Sequence, residues 1–275
     1  MKVALVQITL DGTSHAVNLQ GIMAAIDRAI DVVPAPDLVV LPGACDTGGR
    51  RLADGRSSAD SRTMLSDRSV TRSPQPVVDA PGVAVLGACH ETVALKARDW
   101  GVYIAAGMHA RIGGFDRPCT LLFDANGDVV ARACAIADRR AKAGPLSFWR
   151  SPVGILGVCP PIVEGRPDRA GADVTPVRGA LIVRPVVSEG KVAKTGRRRP
   201  PALVAAVPGG ATGAYWGVAA AAGVAAGVTR VVGPDGGVVA ACDTAEQTIL
   251  YADVPLDVAR LSSARATSEG DGHAT

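Results

Sequence analysis

Within the first 42 residues a strand, a helix and a second strand succeed one another, and that order leaves few folds open to the chain. Lys2 to Ile8 alternates into a short strand. Asn18 to Val33 carries Leu19, Ile22, Met23, Ile26, Ala29 and Ile30 at three- and four-residue spacing, the pattern of an amphipathic helix lying on a sheet. Pro34 and Pro36 stop it. Asp37 to Pro42 then runs Leu-Val-Val-Leu without a polar break, as strands covered on both faces do. Two strands joined in this way lie parallel through a right-handed crossover, so the chain reads as an α/β domain.

A second stretch tells where chemistry would sit. Val153 to Asp168 opens as an apolar run with Gly154 and Gly157 and ends in turns broken by Pro160, Pro161 and Pro167. It reads as a buried strand leading into an elbow. At the carboxyl end of a central strand, such an elbow is where a reacting side chain is held up for attack.

The remaining elements are read from local pattern. Gly87 to Trp100 has helical spacing, and Gly101 to Gly107 is a strand. Pro118 to Asp124 and Asp128 to Ile136 form a hairpin about Ala125-Asn126-Gly127, where Asn-Gly provides positive φ angles. Gly179 to Pro185 and Ala202 to Val207 are strands, Thr229 to Val232 and Val238 to Ala241 a hairpin, and Thr248 to Val254 a last strand. Pro208 to Gly213 is glycine-rich and could cradle a phosphate ahead of a helix, but Gly217, Gly223 and Gly227 interrupt the next stretch and favour an irregular connection. From Ala44 to Pro81 periodicity disappears, which indicates a long surface loop acting as a flap beside the pocket. Gly144 to Ser151 reads as a second substrate-facing loop. The polar residues 262–275 read as a disordered tail, leaving 1–261 as one domain.

Composition excludes several function classes. A net charge of +3 is too small for a nucleic-acid surface, and the one basic run, Arg197-Arg198-Arg199 before Pro200-Pro201, reads as a solvated loop. No cationic leader precedes an apolar segment, and no apolar span reaches bilayer length, so no membrane role is expected. Cys45, Cys89, Cys119, Cys134, Cys159 and Cys242 have no repeated spacing, which fits reduced, buried thiols in a cytoplasmic protein. Adjacent Cys89-His90 offers no paired ligand set, so neither metal nor cofactor is expected. Aromatics are only 3% of the chain, so a core of Ala and Val must gain its stability from many close backbone contacts.

Taken together, the Val-Ala-x-x-Gln strand, the Asn-Leu helix start and the Leu-Val-Val-Leu-Pro strand resemble the opening of the carbon–nitrogen hydrolase (nitrilase/amidase) superfamily. Gly101-Val102-Tyr103-Ile104 with its hairpin, the elbow at Gly154 to Asp168, Gly179-Ala180, and the Gly233-Pro234-Asp235-Gly236 hairpin resemble further motifs of it. The resemblance runs from Lys2 to about Arg260. It implies a four-layer α-β-β-α sandwich that pairs through a helical layer as a homodimer. It also implies a small amide or carboxylate as ligand.

In that superfamily a cysteine thiolate attacks an amide or nitrile carbon, a glutamate is the general base, and a lysine steadies the oxyanion. Laid on this sequence, the glutamate falls on Gly43, the lysine on Ala135 and the cysteine on Pro161. A hydrogen, a methyl and a pyrrolidine ring can perform none of these roles. The resemblance therefore implies a catalytically degenerate homologue, a pseudoenzyme with a retained pocket or a regulatory or structural subunit. The rival is an active amidase using a displaced thiol. Cys159, two residues before Pro161, would share its strand face, and Cys45 is a weaker candidate. A buried thiol with no base beside it stays inert. Glu91, Glu164 and Lys142 read as exposed charges, and His15, His90, His109 and His273 form no sequence pattern with a Ser or Cys.

Overall fold

A computed structural model describes residues 1–12, 14–48, 83–85, 88–112, 115–134, 146–163, 177, 179–187, 213–223 and 228–256. They form two mixed sheets and two helices. The first sheet contains β1 (Lys2–Gln7), β2 (Leu38–Val40), β3 (Val83–Val85), β4 (Tyr103–Ile112), β5 (Phe115–Phe123), β6 (Val129–Cys134) and β14 (Thr248–Asp253), in the order β14-β1-β2-β4-β5-β6, with β3 also on β4. The second contains β7 (Ser147–Ser151), β8 (Gly154–Val158), β9 (Ile162–Val163), β10 (Ala180–Val187), β11 (Tyr215–Ala219), β12 (Arg230–Val232) and β13 (Val238–Ala241), in the order β13-β12-β11-β10-β8-β7, with β9 on β10.

The parallel centre of the first sheet, β1-β2-β4, is the unit expected from the opening residues. α1 (His15–Ile30) starts earlier than its periodicity indicates, because Ser14 caps it by accepting from the Val17 amide. It ends at Ile30, ahead of Pro34. α2 (Ala88–Trp100) leads through Gly101 into β4.

Three clusters of buried side chains define the layers. Ile22, Ile26 and Ala29 of α1 and Val93 and Ala97 of α2 pack on Ala4, Val6, Val39, Ile104 and Leu121 of the first sheet. Its other face, with Val3, Leu5, Leu38, Val40 and Ala105, meets Leu156, Val158, Leu181, Val183 and Val231 of the second sheet. The alternation along β1, β2 and β8 thus assigns successive residues to opposite layers. The far face of the second sheet buries Ile182, Val186, Trp216, Val218 and Val232. Among the described residues, no helix is long and apolar enough to cross a membrane.

Polar groups also join the sheets. Gln7 on β1 accepts at Oε1 from the Thr229 hydroxyl, 2.7 Å away beside the second sheet. Its Nε2 donates to the carbonyls of Thr244 and Glu246, and the Ala220 amide donates to Thr229 Oγ1. Every hydrogen-bonding group of that buried carboxamide has a partner, which is what allows it to be buried.

Several expectations are corrected. Ser147 to Ser151, expected as a loop, is edge strand β7, paired antiparallel to β8. Tyr215 to Ala219, expected within an irregular connection, is β11, parallel to β10. Its Gly217 faces Leu5 and Leu181 between the sheets, so a residue that weakens the pattern serves the packing. Cys119 and Cys134 are joined by a disulfide, contrary to the expectation of six reduced thiols. They are register partners on β5 and β6, a relation that spacing alone does not reveal. Residues 44–48 are a turn in which Ala44 and Cys45 are buried, so the expected surface loop does not begin at Ala44. Its remainder to Pro81, the strand at Ala202 to Val207, the loop at Pro208 to Thr212, Lys142, Glu164, the basic run at Arg197 and the 262–275 tail lie outside the described residues.

Candidate functional site

The strand ends at which the expected pocket lies converge on β10. Gly43 comes after β2, and its amide donates to the Val186 carbonyl at 3.1 Å. Val186 is also the register partner of Ile162, the residue after Pro161. Gly43 and Pro161, two of the three positions on which the resemblance lays catalytic residues, therefore flank one residue of β10. Ala135 lies outside the described residues; within them, Ala133 pairs with Thr120, and Thr120 with Gly107.

Backbone fills the space at Gly43. A Cβ built there would lie 2.6 Å from the Val186 carbonyl carbon and 2.7 Å from its oxygen. Gly107 is as tightly held, since a Cβ on it would lie 2.5 Å from Gly43 Cα and 2.9 Å from both Pro185 Cβ and the Pro42 oxygen. Real Cβ atoms do not approach main chain this closely, so two glycines are what let the sheets touch here.

The elbow is held from both sides. The Cys159 amide continues the ladder to the Val183 carbonyl, and the Cys159 carbonyl accepts from the Thr120 hydroxyl at 2.6 Å. Arg184, buried, donates through Nε to the Pro160 carbonyl. Pro161 is buried too. The Cys159 thiol joins the outer cluster with Ile162, Ile182 and Trp216, whereas Leu156 and Val158 face the inner one. It is fully buried.

A polar cluster that the sequence did not reveal lies one step further along β4. Asp46, nearly buried, accepts at Oδ2 from the His109 amide and at Oδ1 from the His109 ring at Nδ1, both at 3.0 Å. Thr47 Oγ1 lies 3.2 Å from the same ring nitrogen, and His15 Nδ1 donates to the Asp46 carbonyl at 2.6 Å. The Asp46 contact requires Nδ1 of His109 to be the nitrogen that carries a proton. The signal is tertiary: β2 runs parallel to β4, and past the end of β2 the Cys45 amide still donates to the Gly107 carbonyl of β4, which brings Asp46 beside His109. Cys45 next to this cluster has its thiol pKa held well above the ordinary range, first by a hydrogen bond with Cys89 and then by burial. Folded and sealed, such a thiol is a poor nucleophile near neutral pH. His90 packs on the Phe123 ring, and Glu91 stands in the first turn of α2. Among the described residues, no three His, Cys, Asp or Glu side chains are placed to hold a metal ion.

No protein-family description matches the sequence, and no curated protein matches it. Solved structures do match. A variant of the Nesterenkonia AN1 amidase from the nitrilase superfamily aligns with 98% of this chain and 95% of its own, at 21% identity and a TM-score of 0.56. An amidase from Nesterenkonia sp. aligns over the same shares at 20% identity and a TM-score of 0.55. A glutamate-to-glutamine variant of the AN1 amidase, with acrylamide added at its active-site cysteine, aligns with 98% of this chain and 99% of its own at 19% identity and a TM-score of 0.56. At these identities the likeness is one of fold, and the two mixed sheets with few helices match a nitrilase-type fold.

Proposed function

We propose that this protein is a catalytically degenerate carbon–nitrogen hydrolase homologue that does not turn over amides. The observation that carries this reading is the closure at Gly43. The position assigned to the general base has no side chain, and its amide is bonded to Val186 where a side chain would have to stand. The proline at 161 removes the nucleophile from the elbow. The displaced-thiol alternative is less well supported, because Cys159 is sealed in the outer cluster and Cys45 has a raised pKa.

The likeness in fold to amidases, one of which carries acrylamide at its active site, favours a small amide or the corresponding carboxylate as any retained ligand. In this reading a fourth, helical layer covers the outer face of the second sheet. A homodimer formed through α1 and α2, and a cytoplasmic location, belong to the same reading. The test is ammonia release from short amides, nitriles and N-carbamoyl compounds, with and without prior thiol alkylation. The expected result is no release above background. Turnover that alkylation abolishes would establish the displaced-thiol enzyme instead.

A further inference from the structure

Two buried thiols outside the degenerate triad meet in the core beneath α2. Cys45 is two residues past Gly43, and its amide donates to the Gly107 carbonyl at 2.9 Å. Cys89 is the second residue of α2. Both are free, both are sealed in the cluster between the helices and the first sheet, and their thiols are in hydrogen-bonding contact.

Element geometry brings them together independently of that contact. α2 turns at Gly101 into β4 and so runs back along it. From Trp100 back to Cys89 the helix covers about 16 Å. From Tyr103 the strand covers the same distance in about five residues. That ends at Met108, next to the Gly107 carbonyl that holds Cys45.

We propose that Cys45 and Cys89 form a disulfide, a modification site that ties the turn carrying Gly43 and Asp46 to the first turn of α2. The oxidant is a small-molecule disulfide such as glutathione disulfide. One cysteine, as thiolate, attacks it and releases one glutathione thiolate; the second cysteine then attacks the mixed disulfide and releases the other. Two S–H bonds and the external S–S bond break, and one internal S–S bond and two glutathione S–H bonds form. The contact between the two thiols favours this second step over escape. The product closes residues 46–88 into a loop, which restricts the unfolded chain. It also holds in place the turn through which Asp46 clasps His109.

Cys159 and Cys242 are buried too and lie in no disulfide, and they serve as internal controls. Because the pair is sealed, the full-length protein is oxidised in two arms: folded, with glutathione disulfide, and during refolding from denaturant in a glutathione redox buffer. Remaining thiols are capped with N-ethylmaleimide under denaturing conditions, and unreduced tryptic peptides are sequenced by mass spectrometry. Peptides 29–50 and 73–96 each contain one cysteine, Cys45 and Cys89. The expected product is these two peptides joined and lighter than their sum by two hydrogen atoms, in most of the population of at least one arm. The link is lost in Cys45→Ser and in Cys89→Ser, persists when Cys119 and Cys134 are both changed to Ser, and leaves Cys159 and Cys242 capped. Cys45 and Cys89 capped in both arms of a natively folded chain, or Cys89 joined to a different cysteine, would overturn the proposal.

Discussion

The Gly43 amide donates to the Val186 carbonyl across the two sheets at 3.1 Å, a main-chain bond between a turn of one sheet and a central strand of the other. The Val186 main chain that accepts it also fills the space where a Cβ on residue 43 would stand. With Gly107 packed on Gly43, it makes the residue type there a matter of steric fit as well as of chemistry.

Restoring a side chain at Gly43 is therefore expected to destabilise the fold. Gly43→Ala should cost about 1–3 kcal/mol, since the Val186 main chain must move to admit a Cβ. Gly43→Glu should cost more. Urea unfolding measures both, and the Gly43→Glu, Pro161→Cys double variant is expected to release no ammonia from short amides. A Gly43→Ala variant as stable as the parent would show that the sheets can part there.

Gln7 and Thr229 should behave as a coupled pair. Gln7→Leu leaves the Thr229 hydroxyl without its acceptor and should cost about 1–3 kcal/mol. Adding Thr229→Val should cost less than its effect in the parent chain, by about 1 kcal/mol in a double-mutant cycle. Strict additivity would mean that the contact carries no energy of its own.

At the Asp46 carboxylate, truncation should matter more than loss of charge. Asp46→Ala removes both acceptors of His109 and should cost about 2 kcal/mol, whereas Asp46→Asn keeps one acceptor and should cost less. Nitrogen-15 NMR of the imidazole is expected to report a protonated Nδ1 on His109 in the parent chain. The same resonance should become tautomerically mixed in Asp46→Ala.

Alkaline pH should destabilise the reduced chain. The Cys45 thiol is raised by its hydrogen bond with Cys89 and by burial, and Tyr251 by burial and by Asp31. The Tyr251 hydroxyl donates to the Ala29 carbonyl, a bond that ionisation removes. With pKa values higher folded than unfolded, the folded state holds more protons, so stability is present below the unfolded values and falls as pH rises past them. Melting temperatures in reductant should begin to fall from about pH 8.5, where unfolded thiols ionise, and fall further from about pH 10 through tyrosine. Cys45→Ala should flatten the first part of that decline.

Much of the fold was legible because its signals are local. Ile22, Ile26 and Ala29 announce α1, Asn126-Gly127 announces the β5–β6 turn, and Pro234-Asp235-Gly236 announces that between β12 and β13. β7 and β11 were missed because their reasons are distant. Phe148 is placed by Gly157 of β8, and Gly217 by the leucines of both sheets. The Cys119–Cys134 bond and the Asp46–His109 clasp were invisible for the same reason, since each depends on a strand register that no spacing records.

By itself the sequence determined which side chains are present at positions 43 and 161, and so which chemistry is absent there. It also determined the short-range order of strand, helix and turn, because periodicity and capping act within a few residues. Only the tertiary structure decided that Gly43 has no room for more than hydrogen, that Asp46 and His109 meet, and that Cys45 and Cys89 share one buried contact. Each of these relations joins segments far apart in the chain, and packing between layers, rather than local propensity, sets the distances across them.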